Sequence, residues 1–190
     1  DKETREERRE AIQTLKAISR LNSKYSKEYE TAIHQVESDL REENICLVND
    51  CQLDEDQAAF VRRFYYKQLD GYIAPIWFSA LKDLNNEPDD CIYLAVKMRK
   101  QTDKTHPEYA LLQLPVNLVG RFVQLPSRGN QHFIMYIDDV VRCTLPLIFA
   151  GLNYTIFEAY AFKFTKDAEM EIDNDLRNGL LQKISKGVKS

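Results

Sequence analysis

An α+β fold is predicted: a long N-terminal helical arm followed by a small, mostly antiparallel sheet flanked by helices. Three observations carry it. The first forty-odd of the 190 residues repeat apolar side chains at three- and four-residue steps (Ile12, Leu15, Ile18, Leu21, Tyr25, Tyr29, Ile33, Val36, Leu40), the period of one helix face. Residues 91–98 and 109–137 instead hold short apolar runs punctuated by proline and glycine, which is strand chemistry. Acidic residues at Asp54, Asp138, Asp139 and Asp173 stand where apolar helical patterns begin.

The arm, residues 1–43, mixes charges freely in its first ten residues, as a solvated helix face does. Asn22 and Ser23 interrupt it in composition, but the stripe crosses them in phase from Leu21 to Tyr25, so one continuous helix is expected. A face this narrow must lie on something, either the body of the domain or a second subunit, and Tyr25 and Tyr29 are the candidate contacts of a dimer interface. The body, residues 44–190, starts with a turn at Asn49-Asp50. Asp54 with Gln57 then forms a capping box for a helix through about Leu69, ended by Gly71. The course of residues 72–90 is not set by any pattern, and Trp77 within it is expected to anchor the core. Ile92, Leu94, Val96 and Met98 alternate with their neighbours as a strand with one buried face. Gln101 to Pro107 is expected as a polar loop holding His106. Asp138 or Asp139 should cap a helix limited by Pro146, and Gly151 and Asn153 open a last strand on which Glu158 interrupts an aromatic face. Asp173 caps a final helix.

A chain of this length forms one domain, or one domain plus an arm, and buries roughly 70% of its unfolded surface. Its formal net charge of −4 argues against a general nucleic-acid or anionic-membrane binder, while leaving room for a local basic patch. The four cysteines, Cys46, Cys51, Cys91 and Cys143, show no metal or disulfide spacing and suit a reducing, cytoplasmic setting, peripheral membrane association staying open. No apolar run is long enough for an integral membrane segment. The chain opens at Asp1 without a methionine, so a piece of a larger protein is expected.

Catalytic machinery is absent from the pattern. No phosphate-cradling glycine loop or metalloprotease motif occurs, and His34, His106 and His132 have no evident orienting carboxylate, so no catalytic residue and no metal ligand is assigned. The Asp138-Asp139 pair could meet Mg²⁺ on paper, yet capping explains it better. The basic residues Arg121, Arg128, Arg142, Lys163 and Lys166 cluster in sequence within an acidic chain. Arg121, Lys163 and Lys166 are the candidate phosphate-facing residues, with a solvated sheet edge as the equal alternative.

Several of these stretches carry a resemblance. Leu114-Pro115, Arg121-Phe122-Val123-Gln124-Leu125-Pro126, Ile137-Asp138-Asp139-Val140-Val141, Leu147-Ile148-Phe149-Ala150-Gly151 and Phe162-Lys163-Phe164-Thr165-Lys166-Asp167-Ala168-Glu169 together resemble the head domain of bacterial polyphosphate kinases. Lysines 163 and 166 stand where arginines are usual, Glu169 replaces an aspartate, and Trp77 stands where a second proline would follow Pro75. The resemblance implies a parent enzyme that moves the terminal phosphate of ATP reversibly onto polyphosphate through a phosphorylated histidine, with Mg²⁺ bound outside these residues. It implies a domain that pairs subunits into a homodimer or higher oligomer and walls the nucleotide tunnel. It also implies that the nucleotide-contacting N-terminal domain and the catalytic C-terminal domains lie elsewhere in the parent. Two other classes stay open: a non-catalytic interaction module, and a phosphoinositide-binding-like module, against which the acidic charge counts.

Overall fold

The computed structural model describes residues 2–80, 88 and 91–163, and it has the α+β architecture. It divides into two compact units. The first takes in the residues up to Leu47 together with Gly129–Gln131. Its main element is α1, Lys2–Glu42, an unbroken helix of 41 residues and so about 60 Å long. The sequence holds no glycine or proline over that span and is rich in Glu, Lys, Arg, Ala and Leu, the residues that lose least on entering a helix. Ser23 is accommodated by donating its hydroxyl to the Ser19 carbonyl at 2.9 Å. Spaced pairs add support, such as Gln35 with Asp39 at 2.8 Å and Lys24 with Glu28 at 3.6 Å. Asn44, at φ 60, turns the chain out of the helix toward β1, Ile45–Val48.

The second unit, Val48–Arg128 and from His132 onward, holds the core. α2, Glu55–Phe64, begins at the expected capping box: the Gln57 amide donates to the Asp54 carboxylate at 3.0 Å, and the Asp54 amide donates to the Gln57 side-chain oxygen at 3.3 Å. The helix then widens into a π turn over Tyr65–Leu69, closed by the Asp70 amide on the Tyr65 carbonyl at 2.8 Å. Gly71, at φ +83, takes the chain away from it. The short strand β2, Ile76–Trp77, is the first member of a four-stranded sheet in the order β2-β4-β3-β7. Here β3 is Ile92–Lys100, β4 is Asp103–Gln113 and β7 is Tyr154–Lys163, and each neighbouring pair is antiparallel. The short α3, Val116–Val119, leads to β5, Phe122–Arg128, which neighbours β6, Gln131–Tyr136, in a second sheet. α4 spans Ile137–Ile148.

Three expectations are corrected. β3 is buried on both faces, not one. Leu94, Val96 and Met98 pack with Val61, Tyr65 and Leu69 below α2 and with Val140, Val141, Leu145 and Phe149 of α4. Tyr93 and Ala95 on the other face pack with Phe78 and Leu111, ringed by Tyr109, Tyr160 and Phe162. A central strand between two others needs both faces covered, and Tyr93 is accommodated because its hydroxyl donates to the Pro88 carbonyl at 2.7 Å. Second, Asp103 to Pro107 is strand, not loop. The β3–β4 register breaks between Met98 and Lys100, and that irregular stretch is where Pro107, which has no amide proton to donate, fits in the ladder. Third, the N-cap of α4 is Tyr136, without a side-chain cap, and Asp138 and Asp139 lie inside the first turn. Pro146 sits within α4 instead of limiting it, two residues from the end, where few downstream bonds remain to be lost. Trp77 packs edge-on against Phe149 at 5.8 Å between ring centres. The final helix expected from Asp173 lies outside the described residues.

Candidate functional site

Several charged side chains of the second unit gather around the start of α4. Gly120, at φ +82, ends α3 and redirects the backbone so that Arg121 stands directly ahead of β5. The Arg121 carbonyl accepts from the amide of Ile137, the first residue of α4, at 3.0 Å. Its guanidinium grips Asp138 with two bonds, Nη1 to Oδ1 at 2.9 Å and Nη2 to Oδ2 at 3.3 Å. The same guanidinium lies 4.9 Å from the centre of the Tyr136 ring. With side-chain exposures of 34% and 13%, this is a part-buried bidentate pair, worth more than a surface contact.

One turn along α4, Arg142 holds Asp139 and stands 3.8 Å from Asp50, while its Nε donates to the Ala159 carbonyl of β7 at 3.3 Å. Burial pushes the Asp139 carboxyl above its ordinary range. Arg142 pulls the other way, and the negative charges of Asp138 and Asp50 add to the rise. Beside it, burial together with Asp50 and Asp139 pushes the Cys143 thiol up to about 12. Arg128 pairs with Asp54 through the carboxylate oxygen that the α2 cap leaves free.

Of the expected phosphate-facing residues, Arg121 is therefore engaged by Asp138, although its guanidinium retains N–H donors beyond the two used there. Lys163 ends β7 opposite Ile92, exposed, at a hollow of about 280 Å³ that Cys91, Gln113 and Pro115 also line. Arg121 does not line that hollow. Lys166 lies outside the described residues. Tyr25 and Tyr29 stand on α1 with 59% and 68% of their surface exposed. Asp50, Asp138 and Asp139 make a poor seat for a hard cation, since arginine already holds them, and no cluster of three or more potential metal ligands exists among the described residues.

The sequence reading missed the acidic partners. The arginines were read as a basic patch, yet Arg121, Arg128 and Arg142 each face a carboxylate from another part of the chain or an adjacent turn. Only the Asp139–Arg142 spacing of three residues was visible beforehand. The reading of His106 as lacking an orienting carboxylate is also corrected. Its Nδ1 is 2.9 Å from Asp103, which also accepts from the Thr105 hydroxyl at 2.8 Å and holds a carboxyl depressed well below the usual range by those bonds. An aspartate three residues before a histidine was the available signal. Glu158, the oddity on the β7 face, is answered across the strand by Lys97 at 3.4 Å and by Arg99.

The profile of the polyphosphate kinase middle domain matches residues 56–190. The chain belongs to the polyphosphate kinase family. It is 31% identical over 173 residues to the polyphosphate kinase of Vibrio parahaemolyticus, covering 89% of this chain and 24% of that protein. It is 30% identical to the Escherichia coli polyphosphate kinase over 171 residues, covering 87% of this chain and again 24% of the relative. Against the Yersinia pestis polyphosphate kinase the match runs through 97% of this chain at 28% identity. The chain thus spans about a quarter of the length of the curated polyphosphate kinases it matches. The crystal structure of the Porphyromonas gingivalis polyphosphate kinase shares the fold, with a TM-score of 0.65 over 78% of this chain and 26% of that one, at 24% identity. No described helix is long and apolar enough to cross a membrane.

Proposed function

We propose that the chain is the head-domain portion of a polyphosphate kinase that transfers the terminal phosphate of ATP reversibly to inorganic polyphosphate. The match of residues 56–190 to the family's middle domain carries this reading. The arm, residues 1–43, joins the body, residues 44–190, to the nucleotide-contacting part of the parent. The phosphorylated histidine and the Mg²⁺ of the reaction belong to catalytic domains outside these residues. Within the parent, the body walls the passage for nucleotide and polyphosphate, Arg121, Lys163 and Lys166 face the phosphates, and the subunits pair as a homodimer in the cytoplasm. A phosphate contact at a solvent-exposed cation contributes at most about 1 kcal/mol and fades with salt.

Two preparations test this. The 190-residue chain, given ATP, Mg²⁺ and a polyphosphate primer, should extend no chain and form no phosphohistidine, while the full-length parent should do both. Turnover by the highly purified chain alone overturns the assignment of chemistry to other domains, and an inactive parent overturns the kinase reading. A second reading, a non-catalytic interaction module, is favoured by the exposed apolar residues of α1. An inactive parent that still self-associates through α1 is the result that would select it.

A further inference from the structure

The described cations of the second unit differ in what they face. Arg99, Arg121, Arg128 and Arg142 are held by carboxylates of the same unit. Arg62, Arg63 and Lys67, on the exposed side of α2 and its π turn, face none among the described residues. The sequence explains why. The positions three and four residues before the two arginines are Ala58, Ala59 and Phe60, so no acid falls within a helical turn upstream. Asp70, three residues beyond Lys67, closes the π turn through its amide, which donates to the Tyr65 carbonyl at 2.8 Å, and forms no ion pair with Lys67. Ala58 and Ala59 also leave an open hollow of about 440 Å³ beside Arg62 and Arg63, with Glu55 its one acidic wall. The π turn is a second, independent sign. No glycine or proline in Tyr65–Leu69 forces it, and such turns are frequent at functional sites. It keeps Tyr65 and Leu69 in the core while Tyr66 and Lys67 stay outside, Tyr66 with 58% of its surface exposed.

We propose that Arg62, Arg63 and Lys67 dock a linear polyanion, inorganic polyphosphate, along the α2–π surface. This rests on the kinase reading above and names a polyphosphate contact that reading does not use. The cations extend over more than a helical turn, about 7.5 Å of helix axis, past the open hollow beside Arg62 and Arg63. That arrangement fits an extended chain of phosphates better than a single phosphate or a nucleotide. A single-stranded nucleic acid would call for a series of stacking rings, and the surface offers Tyr66 alone among its three cations.

The test uses the full-length parent with Arg62→Gln, Arg63→Gln and Lys67→Gln combined, and with the Arg63→Gln/Lys67→Gln double variant as a milder form. The Michaelis constant for long-chain polyphosphate should rise about fivefold in the triple variant, against under about twofold for a short primer. The slope of log affinity for long chains against log salt should fall by about 2. Equal Michaelis constants for wild type and both variants on long chains, in an enzyme that is active, overturn this proposal and leave the kinase reading standing. An equal or larger loss for single-stranded DNA than for polyphosphate, measured by direct binding, also overturns it. A wild-type parent that makes no polyphosphate overturns the kinase reading itself.

Discussion

At the scale of single residues, the charges of the second unit bind the protein to itself. Asp138 has only 13% of its side chain exposed, and Arg121 is the group that answers it. Removing Arg121 as Arg121→Ala strands a carboxylate in poor solvent and should lower stability by about 1–3 kcal/mol in urea unfolding, whereas Arg121→Lys should recover part of that loss. The double variant Arg121→Ala/Asp138→Ala should be less destabilised than the sum of its parts, because the stranded charge is gone. Arg121 therefore cannot be neutralised as a pure substrate contact without a stability control. Asp139 makes a pH prediction. Its folded carboxyl titrates above the unfolded value of 3.8, so the folded chain holds its proton more tightly. The associated stability is fully present below that unfolded value and is lost as pH rises through the raised folded value. Asp139→Asn should flatten the fall in stability as pH rises above the unfolded value of 3.8, and an unchanged slope would refute the assignment.

Among the elements, α2 shows how local and distant groups share one side chain. Asp54 caps the helix with one carboxylate oxygen and meets Arg128 of β5 with the other. Asp54→Ala should cost about 1–2 kcal/mol, the cap contributing most of it, and Asp54→Asn should retain the cap while giving up the ion pair. Thermal unfolding of the two variants separates these contributions. If Asp54→Asn is as damaging as Asp54→Ala, the ion pair and not the cap dominates. The buried strand β3 is the element least able to absorb change. Leu94, Val96 and Met98 are fully buried between helices and sheet neighbours. In keeping with that position, Leu94→Ala should cost about 2–5 kcal/mol.

For the whole molecule, the open question is what covers α1. Ile12, Leu15, Ile18, Leu21, Tyr25, Tyr29 and Val36 are all exposed on it, from 45% at Ile12 to 68% at Tyr29. A helix of this length keeps such a stripe only against a partner surface, and two-fold pairing is the commonest closed arrangement. Sedimentation over a concentration series should show the 190-residue chain self-associating, and Tyr25→Ser/Tyr29→Ser should shift it toward monomer. A strict monomer at high micromolar concentration would assign the stripe to another part of the parent.

The sequence by itself determined the features that depend on residues close in the chain. The uninterrupted α1, the Asp54–Gln57 cap, the turn at Gly71 and the strand periods of residues 109–136 all follow from spacing, propensity and the special dihedrals of glycine. The family resemblance was legible for a similar reason, since it lies in short contiguous strings such as Arg121 to Pro126. Only the tertiary structure decided which groups meet across long separations. The second buried face of β3, the Glu158–Lys97 pair, the Arg128–Asp54 bridge and the capture of Asp138 by Arg121 join residues that no periodicity relates. Sequence spacing records how a residue sits on its own helix or strand. Whether a charge is free for a ligand depends on what the fold brings opposite it, which is why Arg121 reads as open in the chain and stands paired in the fold, while Arg62, Arg63 and Lys67 stand exposed with no carboxylate opposite them among the described residues.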